Sequence, residues 1–276
     1  MTDIDEVFPV YCLHRGSIPL LISMPHVGTN IPDDVLRDMT EDAGHLDDTD
    51  WHIERLYGFA LAMGASLLVP KYSRYLVDLN RPPDDANLYP GKNTTGLFPQ
   101  DSFDQLSLYA EGRCPDAQQK AERRERYWRP YHEALKAELG RLKALHGHVL
   151  LWDAHSIRSC IPRLFEGRLP DFNFGSADGA SALPGLAQTL SDVVTACSTY
   201  SSVANGRFKG GYITRCYGNP ATGVHAMQLE LAQCTYMSEQ RPYDYQPDAA
   251  ERVAPVIQAV INQALIALRT MGGSSA

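Results

Sequence analysis

The stretch H-V-L-L-W-D-A at residues 148–154 is a short apolar run, and His155 and Ser156 follow it directly. Its length and its Val, Leu and Trp content are typical of a buried β-strand. Similar runs alternate along the chain with helical patterns, as expected for strands joined by crossover helices. The sequence therefore predicts an α/β fold with polar side chains at the end of this strand.

The elements on either side of this strand follow from the same patterns. Further strands are predicted at 19–25, 65–70, 74–79 and 224–232. Helices are predicted from residue 53 to Gly64, with Asp48–Asp50 as capping residues, and at 117–145 with a bend at Pro130, 184–197 and 248–270. Residues 81–115 form a predicted long loop excursion; 162–183 is also loop-like and 205–223 is glycine-rich.

The composition bounds the class of protein. The chain has 276 residues, of which 44% are hydrophobic, so we predict a single domain over residues 1–276 with a sizeable core. The formal net charge is −8, which leaves no large basic surface for a nucleic-acid backbone. We therefore expect a small-molecule partner rather than nucleic acid.

The sequence also predicts where the protein works. Its start lacks a basic region followed by a long apolar segment, and nowhere do about 18 apolar residues run together. The six cysteines are scattered without a CxxC pair, which favours reduced thiols. We therefore expect a cytoplasmic protein without a membrane partner, as a monomer or a small homo-oligomer.

Polar residues that follow the predicted strands are expected to share one crevice: His26, Asn80, Arg81, His155 and Ser156. The reason is that strand C-termini converge on the ligand crevice of an open α/β sheet. Two histidines there, with a carboxylate from an adjacent helix start, could supply three ligands to zinc and leave a fourth position for water.

The preferred carboxylate for this zinc site is Asp50, with Asp48 as its nearest competitor. The alternative is that His26 and His155 are satisfied core histidines and that the aspartates only cap a helix. Two histidines at different strand ends, both flanked by small or polar residues, favour the metal.

Two further carboxylates stand in apolar strands. Asp153 lies on the same side of its strand as His155 and could support that histidine, or it could bond a loop backbone. Glu230 shares a strand face with Gln228, and a buried carboxylate near a metal site could act as a general base. Its alternative is a solvent-facing position on an edge strand.

Four cations in loop-like segments could select an anionic substrate: Arg81, Arg207, Lys209 and Arg215. The planar guanidinium matches a carboxylate bidentately, although solvation at the surface remains the alternative for each cation. The chain contains no GxSxG elbow, P-loop or GxGxxG fingerprint, and its cysteines stand in no recognisable nucleophile setting.

Six segments, taken together and in this order, resemble the N-formylglutamate amidohydrolase family. They are S-M-P-H-V-G (23–28), D-T-D-W-H (48–52), S-R-Y-L-V-D-L-N-R (73–81), L-W-D-A-H-S-I-R-S (151–159), N-G-R-F-K-G-G-Y-I-T-R (205–215) and H-A-M-Q-L-E-L (225–231). The resemblance spans about residues 17–237.

The resemblance implies metal-dependent hydrolysis of N-formyl-L-glutamate to formate and L-glutamate, as in histidine degradation. It also implies a mixed, mostly parallel sheet flanked by helices, similar to that of zinc carboxypeptidases and aspartoacylase. The family pattern carries zinc ligands onto His26 and His155, with Ser156 beside the second. It carries an Asn-Arg pair that binds a substrate carboxylate onto Asn80 and Arg81.

The chain departs from the wider group at one ligand. The usual acidic position, three residues after the first histidine, is Thr29 here, so Asp50 is the available acid. The predicted mechanism uses Zn²⁺ or another divalent transition metal, with Glu230 as the base and Arg158 as an arginine near the oxyanion. The alternatives are a hydrolase of another N-acyl amino acid or peptide C-terminus, and a non-catalytic protein that binds acidic metabolites.

Overall fold

A seven-stranded sheet forms the centre of the chain, in a computed structural model that describes residues 9–88, 91 and 93–272. The strands are β1 (Tyr11–His14), β2 (Leu20–Ser23), β3 (Ser66–Pro70), β4 (Val149–Ile157), β5 (Phe172–Gly175), β6 (Ser202–Ala204) and β7 (Val224–Ala232). Their spatial order is β1-β3-β2-β4-β7-β5-β6. Only the pairs β1/β3 and β5/β7 are antiparallel. The predicted mixed, mostly parallel sheet is confirmed.

Helices lie between most of these strands. They are α1 (Asp33–Leu36), α2 (Ile53–Leu56), α3 (Phe59–Met63), α4 (Ala117–Arg123), α5 (Arg129–His146), α6 (Leu186–Cys197), α7 (Tyr212–Tyr217) and α8 (Pro247–Gly272). One π-helical turn at Arg124–Trp128 joins α4 to α5. Pro130 follows this turn closely and lies inside a continuous run of helical residues from Ala117 to His146.

The sheet is buried on both faces because its apolar side chains alternate between two clusters. Leu150 and Trp152 of β4 point into one cluster together with side chains of α6 and α8. Leu151 points the other way, into a cluster that contains side chains of α5 and of the loop before α4. This alternation explains why β4 is apolar on both faces and carries its polar residues near its carboxyl end.

Helix α8 is long and apolar enough to cross a membrane by length and composition. Its apolar side chains pack in the core instead, with Val253, Ile257, Val260, Ile261 and Ala264 fully buried. Packing against α6 and α3, in a cluster that also contains side chains of the sheet, accounts for the apolar composition of this helix.

Three local predictions are wrong. Residues 74–79 form turns rather than a strand, because Arg74 pairs with Asp78 four residues later and closes the chain on itself. Asp48 and Asp50 do not cap α2, whose first turn has no side-chain cap. The predicted loop 162–183 contains β5, which is an interior strand of the sheet.

The predicted loop excursion has no helix or strand among its described residues, 81–88, 91 and 93–115. It is anchored instead by single contacts, such as an isolated bridge between Tyr109 and Met39, which lies outside the excursion. The limits of the predicted single domain, residues 1 and 276, lie outside the described residues.

Candidate metal centre and active site

Three buried side chains form a cluster with the donor atoms of a metal site. Ligand atoms of His26, Asp50 and His155 lie within 4.8 Å of one another, and none of the three residues is more than 4% exposed. Oδ2 of Asp50 lies 3.0 Å from Nδ1 of His155 and 3.8 Å from Nδ1 of His26. The cluster therefore directs three potential donors at one point.

The ends of neighbouring strands bring the cluster together. His26 lies three residues beyond β2, and His155 lies near the carboxyl end of the adjacent parallel strand β4. The main-chain N–H of Asp50 donates to the carbonyl oxygen of His26 at 3.0 Å, which joins the turn before α2 to the end of β2. The ends of β2 and β4 and this hydrogen bond thus bring the three side chains together.

Each histidine has a carboxylate behind it. Nε2 of His26 donates to Oδ1 of Asp78 at 2.6 Å, and Nε2 of His155 lies 3.3 Å from Oδ2 of Asp153. Histidines that bind metals through one ring nitrogen almost always place the other nitrogen on such a partner. The pair of Nδ1 atoms facing Asp50, with both Nε2 atoms held from behind, therefore fits a metal site.

Burial and the neighbouring charges act in opposite directions on the two histidines of the cluster. Burial lowers the pKa of His26 to about 4, and the nearby Arg74 adds to this effect. Burial also opposes protonation of His155, but Asp153 and Asp50 outweigh it and raise the pKa of His155 well above its usual range. A cation bound among these carboxylates would offset their mutual repulsion.

Glu230 lies beside His155 on the next strand. The two residues are register partners in the parallel pair β4/β7, and Glu230 is only 7% exposed. Because β7 lies between β4 and β5, the alternative of a solvent-facing edge position is wrong. Nε2 of Gln228 donates to the Glu230 carboxylate at 3.2 Å, and burial raises the pKa of Glu230 to about 8.

A cavity of about 590 Å³, including open solvent at its mouth, leads to the cluster. Its polar lining includes His26, His155, Glu230 and three arginines, Arg74, Arg81 and Arg207. Phe103, Ile157, Leu164 and Phe208 form an apolar wall. This mixture of cationic and apolar surfaces suits a small anionic ligand.

Two of the predicted substrate-binding arginines line the cavity. Arg81 donates from Nε to the carbonyl oxygen of Thr95 at 2.7 Å and from Nη2 to the hydroxyl of Thr95. Arg207 donates from Nε to the carbonyl oxygen of Leu164 at 2.7 Å and from Nη2 to that of Asn93. Main-chain acceptors on loops therefore hold both guanidinium groups at the cavity.

Asn80 and Ser156 also border the cavity, but their side chains have partners within the protein. The hydroxyl of Ser156 accepts a hydrogen bond from the hydroxyl of Tyr236 at 2.6 Å. The amide of Asn80 contacts Asp153 and His155.

The other predicted cations lie outside the cavity lining. Lys209 pairs with Asp178 at 2.9 Å, and Arg215 donates to the carbonyl oxygen of Gly210. Arg158 pairs with Asp104 at 2.9 Å. The structure therefore does not bring these three side chains to the cluster of His26, Asp50 and His155.

The sequence of residues 18–237 matches the N-formylglutamate amidohydrolase family. The chain belongs to this family. It is 54% identical over 256 residues to the N-formylglutamate deformylase of Pseudomonas aeruginosa, covering 93% of this chain and 96% of the relative. It is 51% identical over 258 residues to that of Pseudomonas putida, covering 94% and 96%.

A solved structure supports the fold of this amidohydrolase family member. The crystal structure of N-formylglutamate amidohydrolase from Ralstonia eutropha JMP134 matches with a TM-score of 0.80 over 94% of this chain and 98% of that chain. The two sequences are 24% identical, so the match concerns the fold alone.

Sequence reasoning missed two residues of this amidohydrolase site, Arg74 and Asp78. Both lie in the segment predicted as a strand, and Asp78 is fully buried. The spacing carried one signal, because Asp78 precedes Asn80 by two residues just as Asp153 precedes His155. The contact of Asp78 with His26, 52 positions away in the chain, depends on the tertiary fold.

Proposed function

We propose that this chain hydrolyses N-formyl-L-glutamate to formate and L-glutamate. One observation carries the proposal: the buried cluster of His26, Asp50 and His155 opens, beside Glu230, onto a cavity with arginines in its lining. The two Pseudomonas relatives bear the name N-formylglutamate deformylase, which supports this choice of substrate.

Zinc is the proposed metal, held by His26, Asp50 and His155. Two imidazole nitrogens and one carboxylate oxygen are the usual ligand types of a catalytic zinc site with an open position. Such an ion supplies Lewis-acid polarisation of a carbonyl oxygen and lowers the pKa of water. Asp78 and Asp153 keep the two imidazole rings turned towards Asp50.

Glu230 is the proposed proton carrier. Its carboxyl lines the cavity with both histidines, and burial raises its pKa to about 8. A group with a pKa near neutrality can exchange protons in both directions during turnover. Glu230 takes the proton of the attacking water and returns it to the nitrogen of the departing glutamate.

Arg81 and Arg207 are the proposed anchors for the two substrate carboxylates. An arginine has five N–H donors, so Arg81 retains donors beyond those that it gives to Thr95 and to the main chain of Asn80. Both arginines stand on loops at the cavity, where charge-assisted hydrogen bonds to a dicarboxylate add specificity.

Formate release from N-formyl-L-glutamate tests the proposal. We expect release by the purified protein, loss of activity after chelation, and recovery when Zn²⁺ is restored. N-formyl-L-aspartate, N-acetyl-L-glutamate and a dipeptide are the comparison substrates for the alternative of another N-acyl amino acid. If any of them reacts faster, that compound becomes the proposed substrate instead of N-formyl-L-glutamate. Activity that resists chelation would contradict the proposed dependence on a metal.

A further inference from the structure

Asn80 lies between the two carboxylates that support the histidines. Its main-chain N–H donates to Oδ1 of Asp78 at 2.8 Å, and its side-chain Nδ2 donates to Oδ2 of Asp153 at 3.1 Å. Nδ2 also lies 2.7 Å from Nε2 of His155, but both nitrogens are donors when Nδ1 of His155 faces a metal, so Asn80 supports this ring through Asp153. One residue therefore contacts the supports of both His26 and His155.

The other side of the Asn80 amide is bound to α7. Its Oδ1 accepts the main-chain N–H of Ile213 at 2.8 Å, and its main-chain carbonyl accepts that of Tyr212 at 3.4 Å. Both N–H groups belong to the first turn of α7, where helical partners are lacking. Because an N–H can only donate, Ile213 fixes the orientation of the amide and turns Nδ2 towards the cluster.

We propose that Asn80 is a positioning residue of the metal centre rather than a substrate anchor. It holds Asp78 and Asp153 in place, and through them the two imidazole rings. Although Asn80 borders the cavity, it is 3% exposed, and both ends of its amide have partners within the protein. This assignment rests on the proposed metal-dependent function. It gives the two residues of the Asn-Arg pair different roles: Asn80 positions the metal centre, and Arg81 binds the substrate carboxylate.

Gly211 offers a second way to displace the same amide. A Cβ atom at Gly211 would lie 2.5 Å from Nδ2 of Asn80 and 2.6 Å from its Oδ1, which is too close for real atoms. Its backbone angles, φ −82° and ψ −162°, are accessible to alanine. Gly211→Ala therefore moves Asn80 without changing its chemistry.

The test compares Asn80→Ala, Gly211→Ala and Arg81→Ala with wild type in two measurements. The first is Zn²⁺ affinity without substrate, from competition with a chromophoric chelator; the second is the KM for N-formyl-L-glutamate at saturating Zn²⁺. We expect the first two variants to bind Zn²⁺ more weakly, by up to the roughly 10- to 100-fold that is typical when a direct partner of a metal ligand is removed. Arg81→Ala should raise KM and keep wild-type Zn²⁺ affinity.

Wild-type Zn²⁺ affinity in Asn80→Ala, together with a raised KM, would overturn the inference and restore the role of substrate anchor. Thermal unfolding of the metal-free variants shows whether weaker binding reflects loss of the fold; Gly211→Ala keeps the inference testable if Asn80→Ala does not fold. The proposed function fails separately, when wild type binds Zn²⁺ but releases no formate.

Discussion

The inner and outer halves of the cavity hold their functional side chains by different means. In the inner half, His26 and His155 stand at strand ends, and carboxylate side chains support their rings. In the outer half, Arg81 and Arg207 stand on loops and bond to main-chain carbonyl oxygens. The inner half is thus fixed by the register of the sheet, and the outer half depends on loop conformation.

This difference corresponds to what each half has to do. Metal ligands have to stay within a few tenths of an ångström of their places, which strands and supporting hydrogen bonds provide. Carboxylate anchors tolerate more movement because a guanidinium can bind an anion through several pairs of donors. Changes in the inner half should therefore alter metal binding or kcat, and changes in the outer half should alter KM.

The largest expected effect concerns Glu230 in the inner half. Glu230→Gln keeps the size of the side chain but removes its ability to accept a proton, so kcat should fall about 10²- to 10⁴-fold. KM and Zn²⁺ affinity should stay near wild type. Steady-state kinetics measure this, with Glu133→Gln as control because Glu133 is exposed on α5. A wild-type kcat in Glu230→Gln would show that Glu230 does not carry the proton in the reaction.

A smaller effect is expected for Arg207 in the outer half. Hydrogen bonds to charged groups contribute about 1.5–3 kcal/mol, so Arg207→Ala should raise KM for N-formyl-L-glutamate about 10- to 150-fold at unchanged Zn²⁺ affinity. N-formyl-L-glutamine, which lacks the side-chain charge, should be affected less. Lys209→Ala is the matched control from the same loop, since Lys209 pairs with Asp178 outside the cavity lining.

Equal losses for the two substrates would show that Arg207 does not meet the side-chain carboxylate. A fall in Zn²⁺ affinity would contradict the division into two halves. Thermal unfolding checks the loop, because the substitution also removes the bonds to Leu164 and Asn93.

The inner half was the more predictable from sequence. The apolar runs of β2, β4 and β7 have the length and composition of buried strands, and polar residues within or just after them mark the crevice. His26, His155 and Glu230 are found there together because parallel strands share one carboxyl edge.

The remainder depended on contacts that a local pattern does not encode. Leu76, Val77 and Leu79 are buried as in a strand, but the ion pair of Arg74 with Asp78 makes the segment turn. The outer half shows the same limit. Arg207 and Lys209 stand two residues apart in one loop, and only tertiary packing decides that the first lines the cavity.

The smallest expected effect concerns His132 of α5, which supports the segment between the two halves. Nε2 of His132 donates to the carbonyl oxygen of Leu79 at 2.9 Å, and its ring stacks on Trp128, whose Nε1 donates to the carbonyl oxygen of Arg81. Burial lowers the pKa of His132 to about 3, and the bond to Leu79 only partly opposes this.

A pKa lowered on folding makes stability depend on pH with a definite sign. Below about pH 6.5 the unfolded chain takes up a proton at His132 that the folded chain refuses until about pH 3, so stability falls as pH falls through this window. The slope from this one group is at most about 1.4 kcal/mol per pH unit. Above pH 6.5 the group contributes no pH dependence.

Urea unfolding of the metal-free protein between pH 7 and pH 4 measures this slope. His132→Gln cannot titrate, so its free energy of unfolding should fall less steeply with acid than that of wild type, even if it is lower at pH 7. His26, whose pKa burial lowers to about 4, contributes in the same direction and is present in both proteins. His45→Gln is the control for removing an exposed histidine. Parallel slopes for wild type and His132→Gln would mean that His132 takes up its proton equally well in the folded and the unfolded chain, which would contradict the lowered pKa.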